Sequence, residues 1–300
     1  MSAALLPLPD LRTVAGVGVA GNFAGHLEQA GESADFARVD AVADAPKGIF
    51  PWYLPPGPSP QARAPQIPEF LRIFPLAHDE IRLPPGDHSK LQIEPEVGLL
   101  ARIEYDRHTG LPARVAPRAI GAFNDCSIRR PGAQKISDKK NWGPASKGLA
   151  AELIAVDSLA PDGPTASWRL ACFLRRDGRA EPYGIDSRLP DYSYYGATLL
   201  DWIADRLAHQ TGSDDTPLEP VGAYLRAAGQ PSHALIGIGA TRYTPLGETT
   251  FLQPGDESIV IVYDAATHTP GALQRTVELA REDELRDASV LRQRVVSAGA

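Results

Sequence analysis

The stretch that most constrains this chain is Glu94-Pro95-Glu96-Val97-Gly98-Leu99-Leu100, two glutamates one residue apart feeding an apolar run. The run reads as a strand, and strand side chains alternate faces with period two, so Glu94 and Glu96 project from the same face. Carboxylates crowded together repel unless one takes a proton or a cation sits between them. A third acid, Asp125, follows Glu96 by twenty-nine residues in the turn-like run Gly121-Ala122-Phe123-Asn124-Asp125-Cys126-Ser127. Three carboxylates make a hard, all-oxygen donor set suited to Mg²⁺ or Mn²⁺, with positions left for water and substrate. An E-x-E pair alone is more often a solvated strand face, because Asp and Glu mostly sit exposed. The surrounding motifs have to decide.

Those motifs form an ordered set. Glu94-Pro95-Glu96 precedes Phe123-Asn124-Asp125-Cys126-Ser127-Ile128-Arg129, and Trp142 and Lys147 follow. Order and spacing resemble the fumarylacetoacetate hydrolase family, with gaps, from about Val14 to about Val262. The resemblance implies that Glu94, Glu96 and Asp125 hold Mg²⁺ or Mn²⁺. It implies that His26, in Gly21-Asn22-Phe23-Ala24-Gly25-His26, is the catalytic histidine, and that Lys147 and Arg129 stabilise an enolate or hold substrate. Thr241, at the end of Ala234–Thr241, would reach the substrate, with Thr244 of Thr244-Pro245 as its rival. Lys147 follows Trp142 with one residue more between them than the family has, so Lys140 competes for the lysine role.

The chain also departs from the family. Many members carry Glu three positions after the histidine; here Gln29 stands there and Glu28 precedes it. On a short helix those two side chains point about 100° apart. Gln cannot act as a base, so either Glu28 is the acid that orients His26, by a different geometry, or the acid is absent and the chemistry is altered or lost. Arg130 replaces the family's usual Asp and, with Arg129, would make a cationic spot fitted to a carboxylate substrate, which arginine binds bidentately.

Composition bounds the remaining readings. A net charge of −7 argues against a nucleic-acid or anionic-membrane surface. No apolar run reaches about eighteen residues, so no membrane span is expected. Residues 1–10 lack the features of a secretory signal. Cys126 and Cys172 are the two cysteines, too few for a disulfide framework or zinc motif, and both read as reduced thiols in a cytoplasmic protein. Cys126 has no base at a telling spacing and reads as a small buried residue.

Along the chain, Val14–Ala20 reads as a buried strand, Phe70–Pro75 as a short one, and Trp168–Leu174 as a strand entering a hairpin turn at Arg176-Asp177-Gly178. The clearest helix lies within Tyr194–Gln210, where Leu199, Leu200, Ile203, Ala204 and Leu207 fall at helical spacing. Phe251-Leu252-Gln253-Pro254-Gly255-Asp256 matches a family turn, with Pro254 presetting φ and Gly255 supplying φ > 0. Residues 45–68 are Pro-rich and read as an extended loop or lid carrying Phe50, Trp52 and Tyr53. His88 reads as a loop histidine. Residues 270–300 read as a helical C-terminal extension with apolar positions at Leu273, Val277, Leu285, Leu291 and Val295.

Together these predict a single domain over 1–300 of the α+β class, rich in β. The resemblance implies a rolled, mixed β-sandwich with peripheral helices, assembled as a homodimer. The expected activity is metal-dependent hydrolysis of a C–C bond in a small anionic 2-oxo acid or 1,3-diketo acid. Oxo-acid decarboxylation or isomerisation on the same site is the alternative, as is a binding protein that keeps the cage without turnover.

Overall fold

The computed structural model describes residues 5–6, 9–36, 39, 42, 44–57, 66–86, 90–130, 133–213 and 216–298. Its strands are β1 (Leu5–Leu6), β2 (Ala15–Ala20), β3 (Gly48–Tyr53), β4 (Leu76–Ala77), β5 (Glu80–Arg82), β6 (Leu91–Gln92), β7 (Pro95–Tyr105), β8 (Pro112–Asn124), β9 (Ser127–Ile128), β10 (Lys147–Leu149), β11 (Leu153–Ala155), β12 (Trp168–Arg176), β13 (Arg179–Arg188), β14 (His233–Gly237), β15 (Glu257–Asp264) and β16 (Ala288–Val296). The helices are α1 (His26–Gln29), α2 (Gly196–His209), α3 (Val221–Ala227), α4 (Pro245–Thr249) and α5 (Pro270–Glu278). The chain is thus rich in β-structure with few helices, as expected.

One mixed sheet runs β1-β11-β8-β7-β14-β2-β3, with β10 paired to β8 and to β4; a second runs β13-β12-β15-β16-β5; β6 and β9 form a two-stranded ribbon. The main core takes Val97 and Leu99 from β7 together with Leu170, Cys172, Val260, Val262 and Leu291 from the second sheet. The long β7–β8 pair spans Pro95↔Asn124 to Tyr105↔Pro112. Its turn is closed by Asp106, whose carboxylate accepts from the backbone of His108 and Thr109. At the β12–β13 hairpin Asp177 (φ 52°) and Gly178 (φ 77°) both take positive φ, which matches the strand twist. The predicted helix stripe holds: Leu199, Ile203, Ala204 and Leu207 are buried on α2.

Three expectations change. Phe70–Pro75 forms no strand; Glu69–Arg72 is one 3₁₀ turn, opened by Pro68 (φ −52°), whose carbonyl accepts from Leu71. Within the Pro-rich segment, residues 48–53 are not a lid but β3, with Phe50, Trp52 and Tyr53 all buried. Pro51 is tolerated because β3 lies at the end of the sheet order, where a missing donor costs no ladder bond. Residues 54–57 and 66–68 of the proposed lid form neither helix nor strand, and its residues 58–65, like His88, lie outside the described residues. Among the described residues the C-terminal extension is helical in α5 and in the 3₁₀ turn Glu282–Glu284. Residues 288–296 are β16, antiparallel to β15 and parallel to β5, with Ser289, Leu291, Gln293 and Val295 buried in alternation. Leu291 and Val295 are four apart, a spacing that fits both helix and strand.

Candidate metal centre and active site

Sheet direction brings the site together. β2 and β14 run parallel, while β7 is antiparallel to β14 and β8 to β7. The ends of β2, β14 and β8 and the start of β7 therefore meet at one edge of the sheet. That edge carries His26 beyond β2, Gly239 and Thr241 beyond β14, Asp125 beyond β8, and Glu94 and Glu96 at the start of β7. Glu94, Glu96 and Asp125 are all buried and each offers an oxygen within 4.8 Å of the others. A Cβ on Gly237 would lie 2.3 Å from Glu96 Oε2, so β14 can pass this carboxylate only with glycine there.

Backbone and side-chain bonds fix the acids. Asp125 N donates to Glu94 O (3.0 Å), and Glu94 N donates to Asn124 Oδ1 (3.2 Å). Asn124 Nδ2 in turn donates to Gln293 Oε1 on β16 (3.2 Å), so the second sheet braces the N-D motif. Gly239 N donates to Glu96 Oε2 (3.0 Å). Four cations enter the same region. Lys140 Nζ reaches Glu94 Oε2 (2.5 Å) and Asp125 Oδ2 (2.6 Å), and Lys147 Nζ reaches Asp125 Oδ1 (3.0 Å). Arg129 reaches Glu94 Oε1 (2.7 Å) and Glu32 Oε1 (2.6 Å), and Lys139 reaches Glu32 Oε1 (2.7 Å).

Charge follows geometry. Burial raises the Glu94 carboxyl, but Lys140 and then Arg129 outweigh it and hold the group well below the usual carboxylate range. Glu96 moves the other way: burial and the charge of Asp125 push it well above that range. Crowding has thus sorted the E-x-E pair into one strongly ionised acid and one that favours its proton. Burial also lowers Lys147 and His26, and for His26 the nearby Glu94 opposes the shift without reversing it. His26 Nδ1 lies 2.9 Å from Thr241 O, which can only accept, so Nδ1 carries the proton and Nε2 is the basic nitrogen.

His26, Lys147, Arg129, Thr241, Glu94, Glu96 and Asp125 therefore converge. Thr241 contributes its carbonyl to His26, whereas Thr244 caps α4 and gives its hydroxyl hydrogen to Pro182 O. Glu28 does not join them: it is exposed, and the buried acid near His26 is Glu32, six residues on rather than two or three. Gln29 clamps the backbone of Tyr243, donating to its carbonyl (3.2 Å) and accepting from its N–H (2.9 Å). Arg129 is committed to the protein, donating to Gln92, Glu32, Ser127 and Tyr243 and pairing ionically with Glu94. Arg130 is exposed and bonds Asp138 O, so no double-arginine spot forms. Burial pushes the Cys126 thiol up to about 12, which fits an inert core residue. Sequence reasoning missed Glu32, Lys139, Gln92 and Gln293. None lies at a motif spacing, and their roles depend on contacts between distant segments.

The donor set fits a hard divalent ion. Glu94 Oε1 and both Asp125 oxygens are ion-paired, yet receive no hydrogen bond of normal geometry, which leaves lone pairs for a cation. Beside them lies a cavity of about 20 Å³ lined by His26, Glu32, Phe50, Glu94, Glu96 and Lys140 among others. That is room for one water or ion, so an organic acid enters only if the lining side chains move.

Residues 32–295 match a family described as "Family of unknown function (DUF5718)". The chain belongs to the DUF5718 family. No curated protein matches it. Among solved structures, this DUF5718 chain is similar to a 2-keto-3-deoxyarabinonate dehydratase (12% identity, TM-score 0.47, 95% of this chain and 75% of that one). It is similar also to 5-carboxymethyl-2-hydroxymuconate delta-isomerase from Mycobacterium smegmatis (14%, TM-score 0.46, 95% and 80%). A third is 2-keto-3-deoxy-D-arabinonate dehydratase complexed with magnesium and 2,5-dioxopentanoate (14%, TM-score 0.42, 95% and 72%). Among the described residues no helix is long and apolar enough to cross a membrane.

Proposed function

We propose that this chain is an enzyme acting on a small anionic oxo-acid at the Glu94–Glu96–Asp125 centre, with Mg²⁺ or Mn²⁺ as its ion. The observation that carries the reading is the convergence of three buried carboxylates with a buried, neutral-leaning histidine at one sheet edge. When bound, the ion supplies Lewis-acid polarisation of a chelating oxo-acid. The chain's own groups do the rest. Nε2 of His26 accepts a proton from water or from substrate carbon, because the imidazole stays neutral at pH 7. Lys147, held by Asp125 and the carbonyls of Asp125 and Cys126, is a preorganised cation for developing oxyanion charge. Arg129 orients Glu94 and Glu32 instead of gripping substrate.

Hydrolysis of a C–C bond is the reaction we favour; decarboxylation and isomerisation draw on the same groups. A reduced-thiol, cytoplasmic homodimer goes with this reading, and Cys126 and Cys172 are both free and buried. The test is thermal unfolding of chelator-treated protein with Mg²⁺ or Mn²⁺, each with and without oxalate. Binding to the folded state stabilises by about 2.7 kcal/mol at a hundredfold excess over Kd. A metal-dependent gain enlarged by oxalate supports the centre, and product analysis across 2-oxo and 3-oxo acids then separates the three reactions. His26→Ala should abolish turnover while keeping the metal-dependent gain. The absence of a gain with either ion refutes the proposal.

A further inference from the structure

Two of the three carboxylates already hold a cation that belongs to the chain. The Lys140 ammonium sits 2.5 Å from Glu94 and 2.6 Å from Asp125, on a side chain buried to 3% exposure. Charge closes around it. Glu32, Glu94, Glu96 and Asp125 supply four acids, and Arg129, Lys139, Lys140 and Lys147 supply four bases, all buried or nearly so. A divalent ion added to this set would bring two further positive charges into a dry site, beside an ammonium at contact distance. Three of the four bases are hard to move. Arg129 makes four hydrogen bonds and an ion pair within the protein. Lys147 is tied to two backbone carbonyls, and Lys139 is tied to Glu32.

Lys140 differs. Its ammonium bonds are to the metal-ligand carboxylates, and its long stem borders the small cavity. The Phe50 ring, 5.1 Å from Nζ, offers an adjacent surface for the ammonium to move against. The chain around it is well held. Lys135 Nζ grips the carbonyls of Ser213, Thr216 and Leu218, and Asn141 grips those of Trp52 and Ile73, so the side chain can swing while the backbone stays.

We propose that Lys140 is a tethered counter-ion of the carboxylate cage, which holds Glu94 and Asp125 together and must be displaced for a divalent ion to bind. The proposal rests on reading Glu94, Glu96 and Asp125 as a metal site. It makes Lys140 a gate on metal affinity, distinct from Lys147, which stays in place.

The test is Mn²⁺ titration of the chelator-treated wild type and Lys140→Met, reading free Mn²⁺ by its paramagnetic resonance signal. The expected result is at least about tenfold tighter binding by K140M, since the competing charge is gone. If K140M does not fold, the wild type decides. Reductive methylation followed by mass spectrometry should find Lys140 protected without Mn²⁺ and modified with it, and unchanged protection would overturn the proposal. Binding by the wild type with equal or weaker binding by K140M overturns the gate alone. Absence of binding by both proteins overturns the gate and the metal-site reading together.

Discussion

Glu219 provides a sharp test of how this interior handles charge. Its side chain is 2% exposed, and among the described residues no ion pair reaches it. Burial pushes its carboxyl from 4.5 up to about 8, against the smaller opposing pull of Ser137 and Lys135. The sign follows. The folded state holds the proton more tightly than the unfolded chain, so stability is full below about pH 4.5 and is lost as pH rises towards 8. At 1.36 kcal/mol per pH unit, the gap corresponds to about 5 kcal/mol. Glu219→Gln keeps the shape and removes the titration. Wild type and E219Q should therefore melt together near pH 4.5 and diverge steadily above it. At pH 9 the variant should melt roughly 10 °C higher, at about 2 °C per kcal/mol for a chain of this size. Thermal unfolding by circular dichroism at half-unit pH steps reads this directly. Parallel curves across that range would refute the reasoning, and a more stable wild type at pH 9 would reverse it. Ser137 sits on the 3₁₀ turn Ile136–Lys139 that leads into Lys140, so ionising Glu219 also loads the segment that serves the cage.

Three further outcomes follow from the geometry. Gln29→Glu loses the amide donor to Tyr243 O and sets a carboxylate against that carbonyl; unfolding should show a loss of about 1–3 kcal/mol, with no gain in turnover. Gly237→Ala puts a methyl on Glu96 Oε2, so the Mn²⁺-dependent rise in melting temperature should shrink or vanish in a protein that still folds. Cys126, with its thiol pushed up to about 12, should resist alkylation in the native protein at pH 8 and react only after unfolding.

The sequence carried the site further than it carried the fold. Glu94, Glu96, Asp125 and Lys147 were legible because each lies on or beside a strand whose register follows from local pattern. The acid near His26 was not. Glu28 lay at a plausible spacing, but α1 turns it outward, and Glu32 meets Arg129 and Lys139 through a loop that no periodicity marks. Arg129 was legible as a site residue but not in its role, since a guanidinium looks free until its five partners are placed. The Pro-rich segment hid β3 because proline argues against a strand except at an edge, and edge position is a property of the assembled sheet. β16 was hidden by two apolar residues four apart, an even spacing that suits both periods.

The late strand β16 has a consequence for how the site comes into being. Gln293 reaches back over 169 residues to Asn124, which sets the backbone of Glu94. The second sheet cannot close around that brace until β16 has been made and has slotted between β15 and β5. Contacts of such long sequence separation form slowly. β16 thus works as a keystone, tying the second sheet to the N-D motif of the site through one amide pair.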